Sequence, residues 1–216
     1  MKNIFLFLVL ASLIVIGSCD NKEKESLPRD GDIVFMRLDI GQIKSLKLLS
    51  NSDYTHTGVI FIQKDTVFVY EGAGKVGLSL LESWTGRRSK DSMIVIKRLK
   101  KEYQTKEYGR KLINAGVKFK DLPTDIIFDW SDTMVYSSEL VWKIYDRGLG
   151  IQLSDLKKMK EWNTSDKFVN HRLNSKYGIE NPFNPENSVV SPDDLFYSDK
   201  LETVYSGKMA YILKEK

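Results

Sequence analysis

Two β-branched and aromatic runs lie almost end to end in the first half of the chain. They are THTGVIFI (residues 55–62) and TVFVYEG (residues 66–72), and only three polar residues separate them. Runs of this composition joined by so short a connection predict an antiparallel β-hairpin. The chain must therefore fold around at least one local antiparallel strand pair, whatever surrounds it.

The register of this hairpin decides which side chains meet across it. Pairing Ile62 with Thr66 places Glu71 about opposite Thr57. His56 and Glu71 are then within one or two residues of each other, and a small register shift would put them on one face. A carboxylate beside an imidazole orients the ring and stabilises its protonated form. The alternative interpretation of Glu71 is an exposed acid at a strand end.

Other segments show both strand and helix patterns, partly segregated along the chain. This favours an α+β fold with an antiparallel sheet packed against helices over a wound parallel sheet. The stretch 163–190 is rich in Asn and Pro and gives no clear pattern. Strands are predicted at residues 31–38, 93–99 and 208–215. Helices are predicted at residues 40–49 and about 103–119. A further helix is expected to begin at Ser137 and to end at Gly148 and Gly150, and another to begin with a cap at Ser191.

The N-terminal eighteen residues differ from the rest. Lys2 precedes an apolar run, and the small residues Gly17 and Ser18 come directly before Cys19. This order is typical of a secretory signal and resembles the bacterial lipobox, in which the cysteine becomes the acylated N-terminus. An ordinary signal with a chance cysteine and a short membrane anchor are the alternatives. We predict a signal peptide at 1–18, a polar flexible tether at 19–30 and one domain at 31–216.

Cysteine and charge narrow the classes of function. Cys19 is the only cysteine among 216 residues, which excludes an intramolecular disulfide and a cysteine metal cluster. Its plausible use is lipid attachment, so we expect a protein anchored to a bacterial envelope membrane outside the cytoplasm. The net charge of +4, or +3 without the signal peptide, is too mild to indicate nucleic-acid binding.

Two further sequence features are better explained by a structural role than by a catalytic or ligand-binding role. Residues 72–77 match GxGxxG, but no convincing helix follows, so a glycine-rich turn is the better explanation than a nucleotide site. His171 lies in a polar stretch without acidic or cysteine partners at ligand spacing, and we interpret it as a surface residue. The four tryptophans, Trp84, Trp130, Trp142 and Trp162, could belong to the core or to a cleft.

Ser137 begins the predicted helix and is followed by Ser138 and Glu139. Helix capping is the ordinary role of a serine at such a position. A helix N-terminus also provides a positive dipole end and free N–H groups that can receive an oxyanion, which would suit a nucleophile. The local sequence leaves both roles open.

Five ordered motifs resemble those of the YiiX/YebB-like permuted papain-like hydrolases, circularly permuted relatives of the NlpC/P60 amidases. The lecithin:retinol acyltransferase motif order is also similar. The motifs span nearly all of the chain after the tether: GDIVF (31–35), YTHTGV (54–59), VYEG (69–72), YSSELV (136–141) and SPDDL (191–195).

The resemblance implies a circularly permuted papain-like (NlpC/P60) fold with His56 as general base, Glu71 as orienting residue and Ser137 at the nucleophile position. Tyr54 and Ser138 would be supporting residues, with backbone N–H groups of Ser137 and Ser138 receiving the oxyanion. One departure is that the family motif has cysteine where this chain has Ser137. A thiol ionises beside a histidine more easily than a hydroxyl does.

These observations predict a lipid-anchored hydrolase of amide or ester acyl bonds in a peptide, cell-wall or N-acyl lipid substrate. We expect it to need no metal or organic cofactor. Two alternatives stay open. One is a catalytically silent relative that binds an acyl, peptide or cell-wall ligand, and the other is a structural lipoprotein that keeps the motifs only for folding.

Overall fold

The computed structural model describes residues 28–37, 43–86, 93–178 and 183–208. The predicted signal peptide, Cys19 and most of the predicted tether lie outside these ranges. None of the helices described is long and apolar enough to span a bilayer.

A six-stranded antiparallel sheet forms the centre of the molecule. Its strand order is β4-β3-β2-β1-β5-β8, so the first strand lies in the middle. The predicted hairpin is therefore part of a larger sheet. The strands are β1 (Ile33–Met36), β2 (His56–Gln63), β3 (Thr66–Ala73), β4 (Lys75–Leu80), β5 (Met93–Leu99) and β8 (Leu201–Lys208).

Helices and a second, short strand pair complete the fold. The pair consists of β6 (Lys157–Lys158) and β7 (Ser188–Val189). The mixture confirms the predicted α+β class. The helices are α1 (Ile43–Ser50), α2 (Leu81–Gly86), α3 (Tyr108–Val117), α4 (Ser137–Leu149), α5 (Lys167–Tyr177) and α6 (Pro192–Phe196).

The two faces of the sheet contribute to two different apolar clusters. Alternate residues such as Val59 and Phe61 join the larger cluster, which includes the buried side of α4. Their neighbours, such as Ile60, join a smaller cluster with Leu81 and Trp84 of α2. Because side chains alternate along a strand, His56 shares the face of Ile60.

The hairpin register differs by one residue from the prediction. Gln63 pairs with Thr66, because Lys64 and Asp65 both adopt positive φ angles of 48° and 63° and form a two-residue turn. The prediction had placed three residues, 63–65, in the connection, because the two β-rich runs end at Ile62 and begin at Thr66. The observed register puts Glu71 on the same face as His56.

The glycine-rich stretch that follows is only partly a turn. Gly74 reverses the chain with a φ angle of 83°, but Gly77 lies inside β4, opposite Glu71. The predicted glycine-rich turn over 72–77 is therefore wrong beyond Gly74. The next residues continue β4 and then form α2, which places Trp84 against the sheet.

Two other elements have boundaries that differ from the prediction. The helix expected over 103–119 is confined to α3, because Gln104 is extended and its side chain binds the Leu99 carbonyl. The last strand begins at Leu201, earlier than predicted, and residues 209–215 of the prediction lie outside the described part. The unassigned stretch 163–190 contains α5 and β7.

The first family motif has a structural role. Arg98 of β5 donates two hydrogen bonds of 2.8 Å to the Asp32 carboxylate, and both side chains are buried. Gly31 has a φ angle of 86°, and a Cβ atom there would lie 2.6 Å from Leu112. The Gly31 carbonyl also accepts a hydrogen bond from Tyr145 of α4. The start of the domain is thereby fixed to the sheet and to two helices.

Candidate active site

His56 and Glu71 contact each other directly. The distance between His56 Nε2 and Glu71 Oε2 is 2.5 Å. The His56 side chain is 14% exposed and that of Glu71 is 4% exposed, so the ring is the part of the pair that solvent can reach. The predicted proximity of these two residues is confirmed, and they form a hydrogen bond.

Two further side chains hold the Glu71 carboxylate. Ser79 of β4 donates to Oε1 at 2.5 Å, and the Trp84 indole N–H donates to Oε2 at 2.7 Å. The Trp84 ring also stacks on His56, with centroids 5.3 Å apart and planes inclined by 24°. Trp84 therefore fixes both members of the pair and shields their hydrogen bond from solvent.

The surroundings keep Glu71 ionised. Burial by itself raises the pKa of this carboxyl, but the hydrogen bond and charge of His56, with the hydrogen bonds from Ser79 and Trp84, outweigh burial. The pKa of Glu71 is consequently below its ordinary value. At neutral pH Glu71 is a carboxylate able to stabilise a protonated imidazole.

Ser137 is the first helical residue of α4, and the N-cap position belongs to Tyr136. The Tyr136 backbone N–H donates to Glu139 Oε2 at 3.2 Å, so Glu139 satisfies this end of the helix. The interpretation of Ser137 as the N-cap is therefore wrong. Its hydroxyl is not needed for capping and is available for chemistry.

The start of α4 lies directly over the strand that carries Glu71. A Cβ atom on Gly72 would be 3.3 Å from the Val135 carbonyl oxygen and 3.9 Å from the Ser137 backbone nitrogen. Only a residue without a side chain permits this approach without displacement. Gly72 thus brings the N-terminus of α4 to the strand position next to Glu71.

His56 is hydrogen-bonded to Glu71 but not to Ser137. Among the residues that the structure describes, no hydrogen bond joins the Ser137 hydroxyl to the His56 ring. Because Nε2 of His56 faces Glu71, Nδ1 is the ring nitrogen left to accept a proton.

The two supporting residues make structural contacts. The Ser138 hydroxyl donates to the Val190 carbonyl at 2.8 Å, which turns this side chain into the protein. Tyr54 is buried and stacks on Phe196 with centroids 4.2 Å apart. Their side chains hold the loop before His56 and the start of α4.

A buried ion pair joins Glu139 and Lys143 on α4, two and six residues after Ser137. Lys143 Nζ is 2.7 Å from Glu139 Oε1. Burial raises the pKa of Glu139 to about 7, against the opposing effect of Lys143. Lys143 also contacts Asp132 at 3.0 Å.

His171 lies on α5 with an exposed side chain, as expected. Across the described ranges, no three or more His, Cys, Asp or Glu side chains are grouped so that they could hold a metal ion.

Comparison with known proteins decides the family. The model of the permuted papain-like amidase enzymes of the YaeF/YiiX type, the C92 family, matches residues 27–205. The chain belongs to this family. The permuted papain-like fold that the sequence predicted is thereby confirmed, and the family activity at the coarse level is that of an amidase.

Relatives of this C92 chain come from Escherichia coli. The uncharacterized protein YiiX of strain K12 is 33% identical over 177 residues, which covers 82% of this chain and 86% of YiiX. The crystal structure titled metalloprotein yiiX, from strain O157:H7, superposes with a TM-score of 0.73 at 33% identity. That match covers 82% of this chain and 97% of the E. coli chain.

Trp84 and Ser79 were missed as site residues of this C92 protein. Trp84 was predicted only as core or cleft, and it lies against His56 and Glu71. An expected strand at 75–80 followed by a turn of helix would have indicated both. Of the other tryptophans, Trp142 and Trp162 are buried, and Trp130 packs edge-on against Trp142.

Proposed function

We propose that this protein is a lipid-anchored envelope hydrolase that cleaves amide or ester acyl bonds with Ser137 as nucleophile. One observation carries the proposal. The His56–Glu71 pair is hydrogen-bonded, with a buried carboxylate and a partly exposed ring, and it lies beside Gly72, over which the N-terminus of α4 passes. Peptide, cell-wall and N-acyl lipid substrates share the required acyl bond.

Proton transfer follows from the two ring nitrogens. Glu71 accepts the proton of His56 Nε2, which leaves Nδ1 unprotonated and able to act as a base. As Ser137 attacks the acyl carbon, its proton passes to Nδ1 and the ring becomes positively charged. The Glu71 carboxylate stabilises that charge, and the ring then donates the proton to the leaving amine or alcohol.

Stabilisation of the oxyanion comes from the helix terminus. Backbone N–H groups in the first turn of a helix have no acceptor within the helix, and they lie at its positive dipole end. The N–H groups of Ser137 and Ser138 are in this first turn. They are the donors that would receive the oxygen of a tetrahedral intermediate.

A second candidate is a silent relative that binds an acyl, peptide or cell-wall ligand. The observation in its favour is the lack, in the described part of the chain, of a hydrogen bond between the Ser137 hydroxyl and His56. A serine nucleophile needs its proton removed during attack, whereas a cysteine at this position could already be ionised. A site shaped for sulfur would leave the oxygen short of the ring.

The E. coli structure is titled a metalloprotein, which raises the question of a metal here. The residues described for this chain do not fit that role, because they contain no cluster of three His, Cys, Asp or Glu side chains around one point. Glu71 also has three protein donors already.

The test is covalent labelling of purified protein with a fluorophosphonate probe, read by intact mass and peptide mapping. Wild type should gain one adduct at Ser137, while Ser137→Ala should gain none. The fold should survive, since Ser137 is not the cap residue. Matching circular dichroism spectra would show this.

Ser137→Cys separates the two candidates. An inert wild type together with a Ser137→Cys variant that reacts with an electrophilic thiol probe and hydrolyses acyl substrates would refute the proposal and establish the silent relative. The reactive thiol can be assigned by blocking Cys19 or by using a chain that begins at residue 28. Labelling of wild type at Ser137 with turnover of a simple ester or amide would support the hydrolase.

A further inference from the structure

One short segment, Val190 to Asp193, binds both parts of the site. Its first contacts flank Ser137 on both sides. The Val190 backbone N–H donates to the Tyr136 hydroxyl oxygen at 2.9 Å. The Val190 carbonyl accepts from the Ser138 hydroxyl at 2.8 Å. The segment is thus fixed to the residues immediately before and after the proposed nucleophile.

The other end of the segment holds the loop before His56. Asp193 Oδ1 accepts the Tyr54 backbone N–H at 2.9 Å and lies 2.7 Å from the Ser52 hydroxyl. Asp193 Oδ2 accepts the Asp53 backbone N–H at 2.9 Å. The Asp193 carboxylate therefore binds residues 52–54, the loop that ends two residues before His56.

The segment between these anchors is buried and held by its own hydrogen bonds. Val190 is fully buried, Ser191 is 3% exposed, and Pro192 restricts the backbone. The Ser191 hydroxyl accepts the Asp194 N–H at 3.1 Å while the Asp194 carboxylate accepts the Ser191 N–H at 2.8 Å. This reciprocal cap fixes the backbone from which Asp193 projects.

We propose that the segment Val190 to Asp193 sets the position of Ser137 relative to His56, with Asp193 as a positioning residue that acts through loop 52–54. The role rests on the proposed hydrolase function. It gives a reason for the fifth family motif, SPDDL, which supplies no reacting group. Misplacement of a reacting group by about 1 Å can reduce a rate by about 100-fold, so a fixed spacer matters where the hydroxyl and ring are not already hydrogen-bonded.

The first test compares Asp193→Ala with Asp199→Ala. Both remove one acidic charge near α6, but Asp199 is exposed, and its hydrogen bond in the structure is to Lys200 at 3.4 Å. The rate of Ser137 labelling by the fluorophosphonate probe should fall about tenfold or more in Asp193→Ala. It should stay near wild type in Asp199→Ala. Asp193→Asn, which keeps one oxygen acceptor, should recover part of the rate.

A second measurement does not depend on catalysis. The ring signals of His56 can be followed by NMR, and His171, the other histidine of the chain, serves as an internal reference. Asp193→Ala should shift or broaden the His56 signals and leave those of His171 unchanged. A variant that merely lost stability would not change one histidine alone below its melting temperature.

A double variant tests whether the two ends are linked. Tyr136→Phe removes the oxygen that accepts from Val190 and leaves loop 52–54 untouched. If the segment fixes one distance, breaking its contact with Tyr136 should slow labelling less in the Asp193→Ala background than in wild type. The rate reductions of Asp193→Ala and Tyr136→Phe should then combine less than multiplicatively in the double variant. Fully multiplicative effects would contradict a common spacer.

The outcomes separate this inference from the proposed function. Equal labelling rates and unchanged His56 signals in Asp193→Ala and Asp199→Ala would overturn the positioning role even if wild type is active. A wild type that no serine probe labels would overturn the hydrolase proposal. The positioning role is then judged from the His56 signals and from the thiol reactivity of Ser137→Cys with and without Asp193→Ala.

Discussion

Glu71 and Glu139 are buried carboxyls with opposite pKa shifts. Glu71 accepts hydrogen bonds from His56, Ser79 and Trp84, and its pKa is lowered despite burial. For Glu139, burial outweighs the opposing effects of Lys143 and of the Tyr136 backbone N–H, and the pKa rises to about 7. The balance between burial and stabilising donors decides the sign in each case.

The Glu139 shift predicts a dependence of stability on pH. A carboxyl whose folded pKa is raised contributes stability below its unfolded pKa of about 4.5, and this contribution is lost as pH rises through about 7. Glu139→Gln should remove the decline, whose size is about 1–3 kcal/mol. Thermal unfolding midpoints of wild type and variant between pH 4.5 and pH 8 measure it.

Glu202→Gln is the matched control, because Glu202 is exposed on β8. Its stability curve should follow that of wild type. Parallel curves for wild type and Glu139→Gln across this pH range would show that Glu139 titrates normally in the fold.

Some residues of the candidate site could be predicted from the sequence and others could not. His56 and Glu71 were both expected, because a short hairpin connection leaves few ways to place two strand ends. Trp84 was not expected, because its contact with His56 and Glu71 depends on β4 and α2, which form in a stretch without strong periodicity. The role of Asp193 depends on contacts more than 130 positions along the chain, as its bond to Tyr54 shows. Local patterns carry no such information.

At the level of elements, the approach of α4 to β3 depends on Gly72. Gly72→Ala would put a Cβ atom 3.3 Å from the Val135 carbonyl oxygen and push the start of α4 away from the strand. We expect a loss of about 1–3 kcal/mol in unfolding free energy. We also expect Ser137 labelling about tenfold slower or worse, because the helix carries the proposed nucleophile. Chemical denaturation and probe kinetics measure the two effects.

Gly77→Ala provides the control within the same sheet. Gly77 lies opposite Glu71, and a Cβ atom there would meet nothing within 4 Å. This variant should keep the labelling rate and gain slightly in stability, since alanine loses less backbone entropy in a strand. If both glycine variants behave alike, close packing at Gly72 is not what places α4.

Element boundaries were less predictable than element types. The β-hairpin and α4 follow from strong patterns, and Gly150 ends α4 in the left-handed conformation as its position indicated. The hairpin register failed by one residue because Lys64 and Asp65 adopt positive φ angles that their side chains disfavour. The N-terminal part of the helix predicted at 103 failed because a side-chain bond to Leu99 holds Gln104 extended.

For the molecule as a whole, the proposed attachment to a membrane depends on Cys19. Cys19→Ala should abolish lipidation and move the protein out of the membrane fraction, or leave it uncut. Ser26→Ala in the predicted tether is the control and should remain membrane-bound. Fractionation with intact-mass analysis measures both. An unmodified Cys19 inside a longer wild-type chain would contradict the anchor.

The strand order of the sheet has a consequence for the time course of folding. His56 and Glu71 meet through a local hairpin, a contact that costs little loop entropy and forms early. Ser137 joins them through the docking of α4, and the segment ending at Asp193 contacts both α4 and loop 52–54 from much later in the chain. If the chain is exported as proposed, it would hold an imidazole and a carboxylate together before the segment that completes the site has emerged. The proposed hydrolytic competence would then be acquired last, when the C-terminal part of the domain is in place.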